Sequence, residues 1–267
     1  MIKPKKSLGQ NFLQDNAVVE KIITSSDLKS ADFVIEIGPG QGVLTEQLAK
    51  HVKKVIAIEL DDSLVLLLEK KFADNQNVEI IHEDILKINL PELIGHWVSK
   101  GTPSVLPDYK VVANIPYYIT SPIIRLFLEQ ANQPTEIILM IQKEVAERIV
   151  APKGQMSILA VSVQYYAAAE IIFDVNRNSF SPAPKVDSAV IKIIPNKKFD
   201  KEADKKFFRI VKAGFSAKRK TLLNNLTSSL QLDKNFVEEK LKTVGISPTA
   251  RAQELDIENW KKLTKIF

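Results

Sequence analysis

Between Phe33 and Pro195, short apolar runs rich in Val and Ile alternate with stretches whose apolar residues recur at helical spacing. This alternation constrains the fold more than any other feature of the chain. Runs at 33–37, 55–60, 78–81, 110–114, 135–142, 170–175 and 188–194 read as strands. Residues 16–26, 43–50, 63–72, 121–131, 143–151 and 155–168 read as helices, with Asp15 or Asn16 as the cap of the first. A chain that alternates in this way builds a mostly parallel sheet with helices over both faces. No helix separates the last two strands, so that pair is free to run antiparallel. Residues 88–109 interrupt the rhythm: Pro91, Gly95, Gly101, Pro103 and Pro107 predict a long connection holding one short helix.

From Lys197 onward the strand pattern stops. Helical spacing is predicted at about 200–217, 219–230, 233–244 and 256–266, and Pro195-Asn196-Lys197-Lys198 marks the boundary. We therefore expect an α/β domain at 1–196 and a small all-α domain at 197–267. Charge divides at the same place. Residues 200–267 carry 15 Lys and Arg against 9 Asp and Glu, whereas the preceding 199 carry 22 against 23. Concentrated positive charge suits a polyanionic partner; on composition alone, a lysine-rich helical face turned to solvent explains it better.

The chain has no cysteine, which excludes disulfides and thiolate metal or redox sites. His51, His82 and His96 lack metal-ligand spacing, so no metal is expected. The start, Met1-Ile2-Lys3-Pro4-Lys5-Lys6, leads into polar sequence rather than the apolar core of a signal peptide. Apolar stretches such as Leu64 to Leu68 fall far short of the roughly 20 residues that cross a bilayer. The expectation is a cytoplasmic protein with no membrane partner.

Gly38, Gly40 and Gly42 lie between the first long strand and its helix, where glycine permits a sharp turn and a close ligand approach. Position 43 is Val, so the G-x-G-x-x-G dinucleotide pattern is not met. That favours S-adenosylmethionine, which has no pyrophosphate to cradle, over a nicotinamide cofactor; a tight turn without ligand is the plain alternative. Glu59 ends the next strand and can accept hydrogen bonds from two ribose hydroxyls. Asp84 follows the strand after that, placed to accept from an adenine amine. Each acid alone reads more often as a strand-end turn residue, but three such features at successive strand ends, where open sheets bind ligands, point to one site. Glu36 either contacts the cofactor's amino group indirectly or caps the loop.

Asn114-Ile115-Pro116-Tyr117 closes the strand at 110–114. A side-chain amide and a backbone carbonyl can accept the N–H bonds of an exocyclic amine while an aromatic ring stacks on the base. Pro116 restricts Ile115 to extended backbone, which aims the Ile115 carbonyl. The plain alternative for Tyr117, and for Phe180 further on, is a half-buried core aromatic.

Four segments occur in order: Ser7-Leu8-Gly9-Gln10-Asn11-Phe12-Leu13, the glycine loop, Asn114-Ile115-Pro116-Tyr117, and Phe180-Ser181-Pro182-Ala183-Pro184-Lys185-Val186. Together they resemble the ribosomal RNA adenine dimethylase family, in the branch acting on small-subunit rRNA. The resemblance spans nearly the whole chain. It implies a class I, Rossmann-like methyltransferase with a seven-stranded sheet whose last strand inserts antiparallel. It implies S-adenosylmethionine as methyl donor, and N6 of two adjacent adenosines in the 3′-terminal hairpin loop of 16S rRNA as acceptors. By the same resemblance, Asn11, Leu13, Gly38, Gly40, Glu59, Asp84, Ile85 and Asn114 hold the donor. Asn114, Ile115, Pro116, Tyr117 and Phe180 hold the flipped base. The small ribosomal subunit is the partner and the enzyme a monomer. Lys218, Arg219 and Lys220 form the RNA-contacting run, which Lys3, Lys5, Lys6, Arg148 and Lys153 can extend. Two rivals stay open: a large-subunit methylase of the macrolide-resistance type, and a non-catalytic nucleic-acid-binding factor on the same fold.

Overall fold

The computed structural model describes residues 4–5, 8–96 and 108–267. The elements run in the order β1 (Phe12–Leu13), α1 (Asn16–Ser25), β2 (Phe33–Ile37), α2 (Val43–His51), β3 (Lys54–Glu59), α3 (Asp62–Lys71), β4 (Val78–His82) and α4 (Leu90–His96). There follow β5 (Lys110–Asn114), α5 (Thr120–Leu128), β6 (Glu136–Gln142), α6 (Lys143–Ile149), α7 (Ile158–Tyr166), β7 (Ala167–Val175), β8 (Phe180–Ser181) and β9 (Ser188–Pro195). The chain ends in α8 (Lys201–Gly214), α9 (Leu222–Leu230), α10 (Lys234–Thr243) and α11 (Ile257–Ile266). Contacts divide it into two units, residues 1–146 with 169–195 and residues 147–168 with 196–267. The sequence suggests a single division at 196/197, whereas the contacts divide the chain at three points, the last at 195/196, and α7 groups with the tail helices.

In the first unit seven strands form one sheet in the order β4-β3-β2-β5-β6-β9-β7. The pairs β3–β4, β2–β3, β2–β5 and β5–β6 are parallel, and β9 lies antiparallel to β6. Val34, Val55, Val112, Ile138 and Val190 project to one face, where Val18, Val19, Ile22 and Ile23 of α1 and Leu44 and Leu48 of α2 cover them. Their neighbours Ile35, Ile56, Val111 and Ile137 must point to the other face by the period of two, and all are fully buried. Each such side chain contributes about 1.5–3 kcal/mol relative to exposure, which explains strands apolar on both sides. From β2 the chain moves outward through β3 and β4, then returns to add β5 and β6 on the other side. The switch in direction falls between β2 and β5, where open α/β sheets carry their ligand sites.

A second, two-stranded sheet pairs β1 antiparallel with β8, matching Leu13 to Phe180. Nothing in the periodicity of two residues announces it.

The second unit is helical. Tyr165 and Tyr166 of α7 donate hydrogen bonds to the buried Asp204 of α8 at 2.8 Å each, and Lys197 pairs with it at 2.6 Å. Trp260 of α11 packs so closely on Gly214 that a Cβ there would lie 2.5 Å from the indole. The helix predicted at 219–230 begins only at Leu222, so Arg219 and Lys220 stand in a turn. Thr221 explains the late start, since its hydroxyl accepts from the Asn224 amide and caps α9. Asn225 secures the preceding turn by donating to the Gly214 and Ala217 carbonyls at 2.6 and 3.0 Å.

Candidate active site

A cavity opens at the C-terminal ends of β2, β3, β4 and β5, lined by the glycine loop, Glu59, Asp84 and the 114–117 segment. Gly38, Gly40 and Gly42 have φ of +63°, +59° and +72°, values that side-chain-bearing residues rarely adopt. A Cβ on Gly38 would sit 3.7 Å from the Pro116 ring, and one on Gly40 would sit 3.1 Å from Phe12. The two bare turns therefore lie against the 114–117 segment on one side and the N-terminal segment on the other.

Glu59, at the end of β3, is 6% exposed. Its Oε1 accepts from the Leu60 and Asp61 amides at 2.9 Å each, and its Oε2 from Gly40 N–H at 3.3 Å. Burial raises its pKa above the ordinary carboxylate value despite those bonds. Glu36 is more extreme. Fully enclosed near the end of β2, it has its pKa pushed up to about 8, chiefly by desolvation. Its Oε2 has no hydrogen-bond partner among the described residues, although the side chain lines the cavity. Asp84 is half-buried after β4, with Oδ1 accepting from the Leu86 amide at 3.0 Å; Ile85 is buried beside it.

Asn114 ends β5 half-buried on the cavity wall. Ile115 is buried, and Pro116 N-caps a single 3₁₀ turn at Tyr117–Ile119. The Tyr117 hydroxyl lies 2.7 Å from Ser188 Oγ at the start of β9, which fixes the ring's orientation; burial raises its pKa. Tyr118 is exposed on the rim.

The structure thus brings Asn11, Leu13, Gly38, Gly40, Glu59, Asp84, Ile85 and Asn114 through Tyr117 to one cavity. Phe180 is not among its lining residues. Only 5% exposed, it packs with Leu13, Val18 and Val19 in the core, held there by the β1–β8 pairing. Lys218, Arg219 and Lys220 are all exposed in the turn before α9. Of the cations grouped with them, Arg148 is exposed, and Lys153 pairs with Asp256 at 3.4 Å. Lys5 is turned away from that role, since its ammonium pairs with the buried Asp61 at 2.6 Å. Lys3 and Lys6, like Gly101, Pro103 and Pro107, lie outside the described residues. His51 Nδ1 lies 2.9 Å from the Gln47 carbonyl, and His82 pairs with Asp62 on the surface.

A family model described as ribosomal RNA adenine dimethylase matches residues 1–267. The chain belongs to the ribosomal RNA adenine dimethylase family. Among curated members, the ribosomal RNA small subunit methyltransferase A of Dehalococcoides mccartyi strain BAV1 is 43% identical, with 98% of this chain and 88% of that protein covered. The protein of the same description from Clostridioides difficile strain 630 is 40% identical, covering 99% and 91%. Two solved structures resemble this one over nearly full length. A dimethyladenosine transferase from Plasmodium falciparum has a TM-score of 0.75 at 29% identity, covering 94% of this chain and 95% of that one. The 23S rRNA methyltransferase ErmE has 0.74 at 26%, covering 96% and 99%. The family's fold is the one described above, a class I methyltransferase sheet followed by a helical tail.

Sequence reading left the role of Glu36 open and missed Asp61. A buried acid inside an otherwise apolar strand was the available signal for the first. For the second there was none, because its partners lie 51 and 56 residues away.

Proposed function

We propose that the protein transfers methyl groups from S-adenosylmethionine to N6 of two adjacent adenosines near the 3′ end of small-subunit rRNA. The observation that carries this reading is one cavity at the β2–β5 switch holding both half-sites, the glycine loop with its acids and the 114–117 segment. Relatives described as small subunit methyltransferase A, matching over almost the whole chain, support the choice of RNA.

The residues fit such a donor. Gly38 and Gly40 let a ligand reach the backbone. The Glu59 carboxylate has lone pairs beyond its three amide bonds for ribose hydroxyls, and Asp84 lies one strand farther for an adenine amine. Glu36 offers an unpartnered buried oxygen to a cationic group. When bound, the donor supplies a sulfonium methyl that needs no further activation. A new N6–carbon bond forms as the carbon–sulfur bond breaks, the electron pair returns to sulfur, and N6 releases a proton to solvent. The chain's task is to make the N6 lone pair available, because it is delocalised into the ring. The Asn114 amide and the Ile115 carbonyl accept the N–H bonds and favour a pyramidal nitrogen, an effect of positioning and preorganised electrostatics. Tyr117, anchored through Ser188, presents a ring on which an extruded base can stack. We assign Phe180 a supporting role behind this site through β8. Lys218, Arg219 and Lys220 supply phosphate contacts, which give affinity and salt dependence rather than sequence choice. The enzyme acts as a monomer in the cytoplasm, on ribosomal particles.

Radiolabelled donor supplied with unmodified small subunits, followed by mapping of the labelled nucleotides, tests the reading. Label in two adjacent adenosines is expected, and Asn114→Ala lowers incorporation at least a hundredfold while particle binding persists. The likeness to ErmE makes purified large subunits the necessary control, and label there alone would overturn the choice of substrate.

A further inference from the structure

The Asp61 carboxylate is more fully engaged than its local role requires. It caps α3 by accepting the Ser63 amide at 3.0 Å, a task that Ser or Asn performs as well. Its side chain is completely buried. Oδ1 also receives the Lys5 ammonium at 2.6 Å, and Oδ2 receives the Gln10 side-chain amide at 2.8 Å. The Gln10 Oε1 closes the triangle by accepting Lys5 N–H at 2.7 Å. A buried carboxylate is costly unless paired, and among the described residues its side-chain partners, Lys5 and Gln10, both come from the N-terminal segment. Although burial opposes ionisation, the bonds from Lys5, Gln10 and Ser63 hold its pKa below the ordinary value.

The segment so held is the strap Leu8–Leu13, every residue of which lines the cavity. Its far end is fixed differently: Phe12 and Leu13 are buried and paired with β8, and the Gln14 amide donates to the Ser179 carbonyl at 2.9 Å. Between the two ends, Gly9 takes φ of +60° with the Tyr118 ring 3.5 Å from where its Cβ would be, and Phe12 covers Gly40. One end is built into a sheet, and the other is held by polar bonds to one carboxylate. The Asp61 amide also donates to Glu59 Oε1 at 2.9 Å, so latch and ribose-facing acid share one turn.

We propose that Asp61 is a positioning residue that latches the N-terminal strap over the methyl-donor cavity through Lys5 and Gln10, and so sets how fast the donor and its product leave. This rests on the donor reading above and adds a role for three residues outside the transfer chemistry. Asp61 touches no reacting atom; it acts through the strap.

The test uses full-length chain and S-adenosylhomocysteine. Lys5→Gln removes the ion pair from the exposed side without touching the core, and Asp61→Asn keeps the Ser63 cap through its carbonyl oxygen. Lys5→Gln is expected to speed product dissociation about tenfold, with kcat at saturating donor within twofold and ligand-free Tm unchanged. Hydrogen exchange of the Gly9–Phe12 amides rises in the same variant with or without ligand, a readout independent of turnover. The double variant releases product no faster than Asp61→Asn alone, because one latch is broken only once. Unchanged dissociation and exchange in a chain that binds the product would overturn the latch, as would additive effects of the two substitutions. Failure of the wild-type chain to take up the product would instead refute the donor reading, and the latch over it as well.

Discussion

Glu59→Gln separates folding from donor binding, because the two respond to the same carboxylate with opposite sign. In the ligand-free protein the Gln carbonyl can keep the Leu60 and Asp61 amide bonds, but its NH₂ then faces Gly40 N–H. One bond made at 3.3 Å is lost, at a cost of about 0.5–1.5 kcal/mol. Against this, burial holds the Glu59 pKa above its ordinary value. For a carboxyl shifted upward, the stability contribution is complete below the unfolded pKa and drains away as pH rises through the folded one. Where Glu59 is ionised in the fold that contribution is gone, and a neutral amide restores what burial took. The two effects offset, so ligand-free Tm should move by no more than about 3 °C. Binding has no such compensation. In the donor reading proposed above, ribose hydroxyls would donate to both carboxylate oxygens, and bonds to a charged acceptor contribute about 1.5–3 kcal/mol each. Losing the equivalent of one weakens donor affinity about 10- to 150-fold. Calorimetric titration with S-adenosylhomocysteine beside thermal melting of the free protein measures both quantities. Affinity reduced less than threefold, or a fall in free-protein Tm large enough to account for the loss, would refute the reasoning.

Glu36, with its pKa pushed up to about 8, makes the ligand-free fold less stable as pH rises from about 5 to 8. Glu36→Gln should remove most of that slope in melting experiments, on the order of a few kcal/mol, leaving the smaller part due to Glu59. Replacing Lys218, Arg219 and Lys220 together with Ala should weaken particle binding across all substrates. The slope of log affinity against log salt should fall by about 2–3 when measured by filter binding, with the choice of adenosines unchanged.

The sheet was legible because its signal is local: Val-Ile runs separated by capped helical stretches specify strands buried on both faces, and Gly38 to Gly42 admit few conformations other than a turn. Glu59, Asp84 and Asn114 were legible for a related reason, since parallel strands bring their C-terminal ends to one edge whatever the loops do. What sequence missed depends on long-range pairing. The meeting of Leu13 with Phe180, and of Lys5 and Gln10 with Asp61, joins short segments of no strong propensity across 50 or more residues. The motif at 180–186 suggests a ring facing ligand, whereas Leu13 and α1 enclose Phe180. The predicted start of α9 lies three residues early, since helical spacing continues through 219–221 and only the Thr221 hydroxyl decides where the turn ends.

The reversed direction of β9 has a consequence for how this architecture can diversify. A strand running with its neighbours would deliver its leading end to the floor of the sheet, remote from any ligand. Running against β6, β9 starts at Ser188 beside Gln142, the last residue of β6, so the peptide before it arrives at the working edge. That peptide, from Phe180 to Asp187, is tethered at one end by β8 and at the other by the Tyr117–Ser188 contact. Its length and side chains can therefore change while every hydrogen-bonded pair in the seven-stranded sheet stays where it is.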